Sequence, residues 1–183
     1  MKIVNDFVNI NNLSHISGSR AFWAFGLYAG LQGDAVPSWH VHLCGSRSPR
    51  DKFIHDDVLS ASPNLGPISD LWGLIKTDLT PDYGLLRVYA NAHPHGLEGT
   101  LHHYAKPSDD ELVALVYTSE EWKDAWAGET VFYDVARECI SIRPRPGRLV
   151  LFDAAIPHAS RAPSRDCPEL CTTISFHMRR VRR

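Results

Sequence analysis

Pro146-Gly147-Arg148-Leu149-Val150-Leu151-Phe152-Asp153-Ala154-Ala155-Ile156-Pro157-His158-Ala159-Ser160 is the stretch from which the rest of the chain can be read. Pro-Gly makes a turn, Leu149 to Phe152 a short buried strand, and the residues after it a polar corner. His158 then stands at a fixed place beyond the strand's end. An imidazole aimed by a rigid element is a candidate ligand for iron, copper or zinc. Such a ligand needs partners, and the neighbouring strands are where they are sought.

Upstream and downstream of this stretch, short apolar runs alternate with turn residues. Leu85 to His93, Thr100 to Ala105, Leu112 to Thr118, Thr130 to Val135, Ile140 to Arg143, Arg148 to Phe152 and Thr172 to Met178 read as strands. This spacing predicts a mainly β protein, a jelly roll or sandwich with helices on one flank. In Leu85 to His93, period-two alternation puts Arg87, Tyr89, Asn91 and His93 on one face and Leu86, Val88, Ala90 and Ala92 on the other. A strand with one fully polar face borders solvent or lines a polar cavity. His102 and His103 are adjacent on a strand, so only one of them can share a cavity with His158.

The first eighty-four residues read as support for that unit. Ala21 to Leu31 has near-helical apolar spacing, and Gly45 to Leu65 reads as a long loop or lid. After Pro67, Ile68, Leu71, Trp72, Leu74, Ile75 and Leu79 form the clearest helical pattern. Ser38 to Leu43 alternates as a strand, with Trp39, Val41 and Leu43 opposite His40 and His42. The expectation is one domain over 1–183, with helical and loop support in 1–84 and a β core in 85–180.

Composition narrows the function classes. The chain has 183 residues, 44% hydrophobic, enough for a full core, and a formal net charge of −2. Its only basic run is Arg179-Arg180-Val181-Arg182-Arg183, which argues against nucleic-acid binding. No apolar run is long enough to span a membrane. Four cysteines without a CxxC spacing and no signal peptide predict reduced thiols and a cytoplasmic location.

The order of motifs resembles the iron(II)- and 2-oxoglutarate-dependent oxygenases, in particular the prolyl-4-hydroxylase-like branch on a double-stranded β-helix. The resemblance lies in Arg87-Val88-Tyr89-Ala90-Asn91, in Gly96-Leu97-Glu98-Gly99 with a histidine three residues on, and in Trp126-Ala127-Gly128-Glu129-Thr130-Val131-Phe132. It continues through Pro146 to Asp153, Ile156-Pro157-His158-Ala159 and Cys167-Pro168-Glu169-Leu170, covering about residues 85 to 180. It implies a double-stranded β-helix, iron(II) as metal, oxygen as co-substrate, 2-oxoglutarate as cosubstrate, and a small-molecule or peptidyl substrate. Arg87, Tyr89 and Asn91 then become candidates for holding substrate or cosubstrate.

Two positions depart from that family's pattern. The family holds iron with His-x-Asp and a distal His. Counting from Gly99 assigns His102 and His158 to the metal and puts Tyr104 at the acidic position. The alternative register, His103, puts Ala105 there, as in the family's halogenases. The cosubstrate arginine falls at Cys171, followed by Thr173, so Cys171 and Thr173 mark the cosubstrate position and Arg161, Arg87 or Arg179 would have to supply the charge. These departures predict an oxygenase with an atypical metal site and altered use of 2-oxoglutarate. The alternatives are an ordinary hydroxylase with relocated ligands, Asp109 or Asp110 among them, and a non-catalytic β-helix binding domain.

Overall fold

Gly147 has φ +72°, and a Cβ there would meet the Val8 carbonyl oxygen at 2.3 Å. Only glycine lets the chain turn this tightly against the N-terminal segment, and its carbonyl accepts from the Phe7 amide at 2.9 Å. The turn feeds the strand that the sequence pattern marks. The computed structural model describes residues 1–13, 23–26, 37–48, 51–133, 136 and 138–181.

In chain order the strands are β1 (Lys2–Val4), β2 (Ala24–Gly26), β3 (Ser38–Gly45), β4 (Tyr83–His93), β5 (Glu111–Tyr117), β6 (Thr130–Tyr133), β7 (Cys139–Ile142), β8 (Leu149–Asp153), β9 (His158–Ser160) and β10 (Cys171–Arg180). Helices α1 (Asp56–Ser60) and α2 (Gly66–Asp78) lie between β3 and β4. Among the described residues a large antiparallel sheet runs β1-β8-β5-β10-β4-β3-β2, and a small one runs β7-β6-β9. Two facing antiparallel sheets in this order are the expected double-stranded β-helix.

Residues directly opposite in antiparallel strands share a face. Arg87, Tyr89 and Asn91 on β4 stand opposite His177, Ser175 and Thr173 on β10. Those in turn stand opposite Val113, Leu115 and Tyr117 on β5, and β8 continues the row with Phe152 and Val150. On the other flank, Tyr89 and Asn91 face His42 and His40 on β3. This inner face is therefore apolar toward β8 and polar toward β3. Its apolar half packs with Phe132 and Ile142 of the small sheet.

The outer face buries Leu85, Val88, Ala90, Ala114, Val116, Ile174, Phe176 and Met178 against the helices. Ile68, Leu71, Trp72 and Ile75 repeat at helical spacing and form the buried stripe of α2. Trp72 lies parallel to Phe176 with ring centroids 6.1 Å apart. Each large apolar side chain buried here contributes about 1.5–3 kcal/mol. Asp56 ties the layers together: its carboxylate accepts from Trp72 Nε1, from Lys76 Nζ at 3.0 Å and from the Leu85 amide at 3.3 Å. No described helix is long and apolar enough to cross a membrane.

Several local expectations need correction. Thr100 to Ala105 is not a strand; its pairing is an isolated bridge between His102 and His158. The Gly99 amide donates to the Ser160 carbonyl at 2.8 Å while His102 pairs with His158, so three steps of this segment run against two of β9, and the extra residue breaks the ladder. Gly45 to Leu65 is not all loop, because Asp56 and Asp57 start a helix whose Leu59 is fully buried. Within the expected helix Ala21 to Leu31, Ala24–Gly26 is a strand paired with β3, where Phe25 packs on Trp39 at 5.0 Å. Residues 21–22 and 27–31 lie outside the described residues, as do 134–135 at the end of the expected strand Thr130 to Val135. The N-terminal part also supplies β1, β2 and β3 to the large sheet, so it extends the β core as well as supporting it.

Candidate metal centre

His102 and His158 meet because their backbones exchange hydrogen bonds. The His102 amide donates to the His158 carbonyl at 3.0 Å, and the reverse bond is 2.9 Å. A reciprocal pair of this kind puts both side chains on one face. The two rings lie 4.4 Å apart at 53°. Tyr104, two residues on and therefore on the same side, sits 4.7 Å from the His102 ring and 5.0 Å from the His158 ring. Phe132 and Phe152 pack on His158 from the interior.

Backbone carbonyls orient both imidazoles. Nδ1 of His102 is 2.7 Å from the Thr100 carbonyl, and Nδ1 of His158 is 2.9 Å from that of Ile156. A carbonyl only accepts, so each Nδ1 carries the proton and each Nε2 keeps its lone pair. Burial, with the neighbouring His102 second, lowers the His158 pKa to about 3. Burial likewise lowers that of His102. Both rings are thus neutral near pH 7, the form that binds a metal ion.

A chain of hydrogen bonds leads away from this pair. The Tyr89 hydroxyl donates to that of Tyr104 at 2.5 Å and lies 2.8 Å from Nε2 of His177. His177 Nδ1 lies 3.2 Å from Nη2 of Arg87. The His177 ring also packs edge-on against Tyr104 at 4.2 Å. Burial pushes the His177 pKa well down, helped by Arg87 and by the other two histidines. His177 is absent from the sequence-based candidates, although the alternation Thr173, Ser175, His177 on β10 marks the same polar row as Arg87, Tyr89 and Asn91.

His103 is exposed and its Nδ1 is 3.1 Å from the Ala105 carbonyl, so it turns away from His158. Asn91 is half-buried between His40 and Thr173. His93 is buried near His102 with Nδ1 unpartnered, and its pKa is lowered by burial first. Cys171 is buried with its thiol 3.7 Å from the Gly128 carbonyl, and burial raises its pKa to about 12, so it is a neutral thiol. Thr173 is buried beside Tyr117, whose hydroxyl donates to Thr130 at 2.7 Å. Arg161 is exposed and paired with Glu98 at 3.4 Å, and Arg179 is exposed at the end of β10. Asp153 accepts from the Ala155 amide, a turn role. Asp109 and Asp110 do not reach the histidines. Asp109 bonds the Lys106 amide, and Asp110, held at φ 53°, pairs with Arg180 at 2.8 Å.

These residues test the fit of an iron(II) centre of the kind expected above. The two oriented, neutral imidazoles fit one. The carboxylate does not appear: among the described residues no three His, Cys, Asp or Glu side chains are grouped so as to hold a metal ion. The donor beside the histidines is the Tyr104 phenol.

The fold is that of the prolyl-4-hydroxylase-like 2-oxoglutarate/iron(II) oxygenases. A Pseudomonas putida prolyl-4-hydroxylase superposes with TM-score 0.61 at 15% identity over 98% of this chain and 92% of its own. A Burkholderia pseudomallei oxidoreductase of the 2OG-Fe(II) oxygenase family gives TM-score 0.66 at 15% identity over 93% and 78%. A Trichoplax adhaerens prolyl hydroxylase, solved with a hypoxia inducible factor peptide fragment, gives 0.63 at 14% over 98% and 83%. No family model matches the chain, and no curated protein matches it in sequence.

Proposed function

We propose that this protein is a non-haem iron-dependent oxygenase acting on a small molecule or a peptidyl side chain, with His102 and His158 holding the metal and Tyr104 in place of the usual carboxylate. The observation that carries this reading is the pairing of two carbonyl-oriented, neutral imidazoles 4.4 Å apart with a phenol packed on both. Two imidazoles and an oxygen donor suit iron(II) and leave further positions open. A phenol serves as such a donor once the ion displaces its proton. When bound, the iron would supply oxygen activation; the protein's part is orientation and polarity.

That part is assigned residue by residue. Thr100 and Ile156 carbonyls set the imidazole tautomers, and Tyr89 holds the Tyr104 oxygen by hydrogen bonding. Phe132 and Phe152 keep water from the His158 side. Asn91, facing the same interior, is a candidate for orienting substrate. The likeness to prolyl hydroxylases, one of them bound to a peptide, supports a peptidyl or small-molecule substrate. The neutral thiol of Cys171 offers no charge to a 2-oxoglutarate carboxylate, so use of that cosubstrate at this position is not part of the proposal.

Anaerobic iron(II) titration of the chain, compared with His158→Ala, tests the metal site. Stoichiometric binding abolished in His158→Ala is expected. On oxidation to iron(III), a visible phenolate-to-iron band absent from Tyr104→Phe is expected. Iron binding that ignores His158, or no binding, overturns the reading.

A further inference from the structure

The inner face of the large sheet holds a positive charge that no described side chain balances. Arg87 is 3% exposed, its Nη2 donates to Nδ1 of His177, an acceptor that brings no negative charge, and its Nε is buried without a partner. No carboxylate among the described residues forms an ion pair with it. Lys52, arriving from the segment after β3, pairs with the buried Glu111 at 2.5 Å, and the second oxygen of Glu111 has no partner. Glu111 lies two residues before Val113, which stands opposite His177, so Lys52 meets the same face of the sheet. Two cations therefore accompany one carboxylate.

A guanidinium does not shed its proton, and stripping it of water without a counter-ion costs several kcal/mol. Its planar fork matches a carboxylate through two parallel hydrogen bonds. The Nη2 corner is used by His177, while Nε remains to be satisfied. We propose that Arg87, with Lys52 beside it, is the seat for the carboxylate of a small organic acid bound between the sheets. This seat lies toward the far end of β10 from Cys171, opposite His177. Two residues of strand, about 7 Å, separate Arg87 from Tyr89, which is the length scale of a short dicarboxylate. The acid's far end then lies near Tyr104 and the histidine pair; that direction rests on the metal-site reading, whereas the carboxylate seat does not.

The test is thermal unfolding of the full chain with succinate, 2-oxoglutarate or inorganic phosphate, first with chelator and then with iron(II) under anaerobic conditions. Both acids should raise Tm with dose in the presence of chelator, and phosphate should do so less. Arg87→Gln keeps a donor for His177 but removes the charge, and it should abolish the response. Arg87→Lys keeps the charge without the fork and should weaken the apparent affinity about 10- to 100-fold. A preference for 2-oxoglutarate that appears only with iron(II) identifies the acid as a cosubstrate bound at the metal, and equal responses identify it as a substrate-type acid; both support the seat. No response in the wild-type chain, an equal response in Arg87→Gln, or phosphate acting as strongly as the acids overturns it. A succinate response with no iron binding would sink the metal-site reading and leave the seat intact.

Discussion

The guanidinium of Arg87 donates to Nδ1 of His177, and because arginine carries no acceptor, this one contact sets the imidazole's tautomer. The His177 proton must then sit on Nε2, which donates to the Tyr89 oxygen, and Tyr89 donates onward to Tyr104. All the bonds point the same way, from a buried cation to the phenol oxygen beside the paired histidines. A series of aligned donors strengthens each successive bond in a low-dielectric interior.

Replacing His177 should therefore affect more than packing. His177→Phe keeps a ring of similar size but leaves the Arg87 Nη2 donor and the Tyr89 hydroxyl each short of a partner. A loss of about 2–4 kcal/mol is expected, measured by chemical denaturation. A loss below about 0.5 kcal/mol would show that the chain of bonds carries no stability.

Acid should destabilise the metal-free protein. The folded-state pKa of His158 lies at about 3, below its unfolded value, and those of His102, His177 and His93 are lowered as well. The unfolded chain therefore binds more protons between about pH 6.5 and 3. The stability associated with neutral His158 is complete above about pH 6.5 and falls by about 1.4 kcal/mol per pH unit below it, until about pH 3. Denaturation midpoints across pH 4 to 8 check this, and His158→Phe should flatten the slope; an unchanged slope in that variant refutes the assignment.

Tyr104→Asp places a carboxylate two residues after His102, on the same side of the chain. Under the proposed metal site, iron(II) should bind at least about tenfold more tightly than to the wild-type chain, because a carboxylate is a better hard donor than a phenol. Anaerobic titration gives the answer. Unchanged affinity would mean that position 104 does not face the ion.

Gly147→Ala should destabilise the fold by at least about 2 kcal/mol. The substitution combines a positive φ with a Cβ placed 2.3 Å from the Val8 carbonyl oxygen. Urea titration measures the loss, and a wild-type midpoint would show that the turn rearranges freely.

Much of the β core was legible in the chain because sheet formation leaves a period-two record of which side chains are buried. The alternation in Leu85 to His93 and the run Leu149 to Phe152 predict β4 and β8 closely, and the helical spacing of Ile68, Leu71, Trp72 and Ile75 predicts α2. What escaped were elements too short for periodicity, such as β2 and α1, and the loss of a strand at His102, where a single bridge takes the place of a ladder.

By itself, the sequence determined which residue types were available: histidines at 102 and 158, a tyrosine at 104 where a carboxylate was expected, and a cysteine at 171 where an arginine was expected. The tertiary structure decided which of them meet. The reciprocal backbone bonds between His102 and His158 turn both imidazoles to one side and leave His103 outside. Strand register brings His177 against Arg87 across ninety positions of chain. Local patterning reports the face on which a side chain lies, but a contact between distant strands depends on register, and register is set by the packing of the whole sheet.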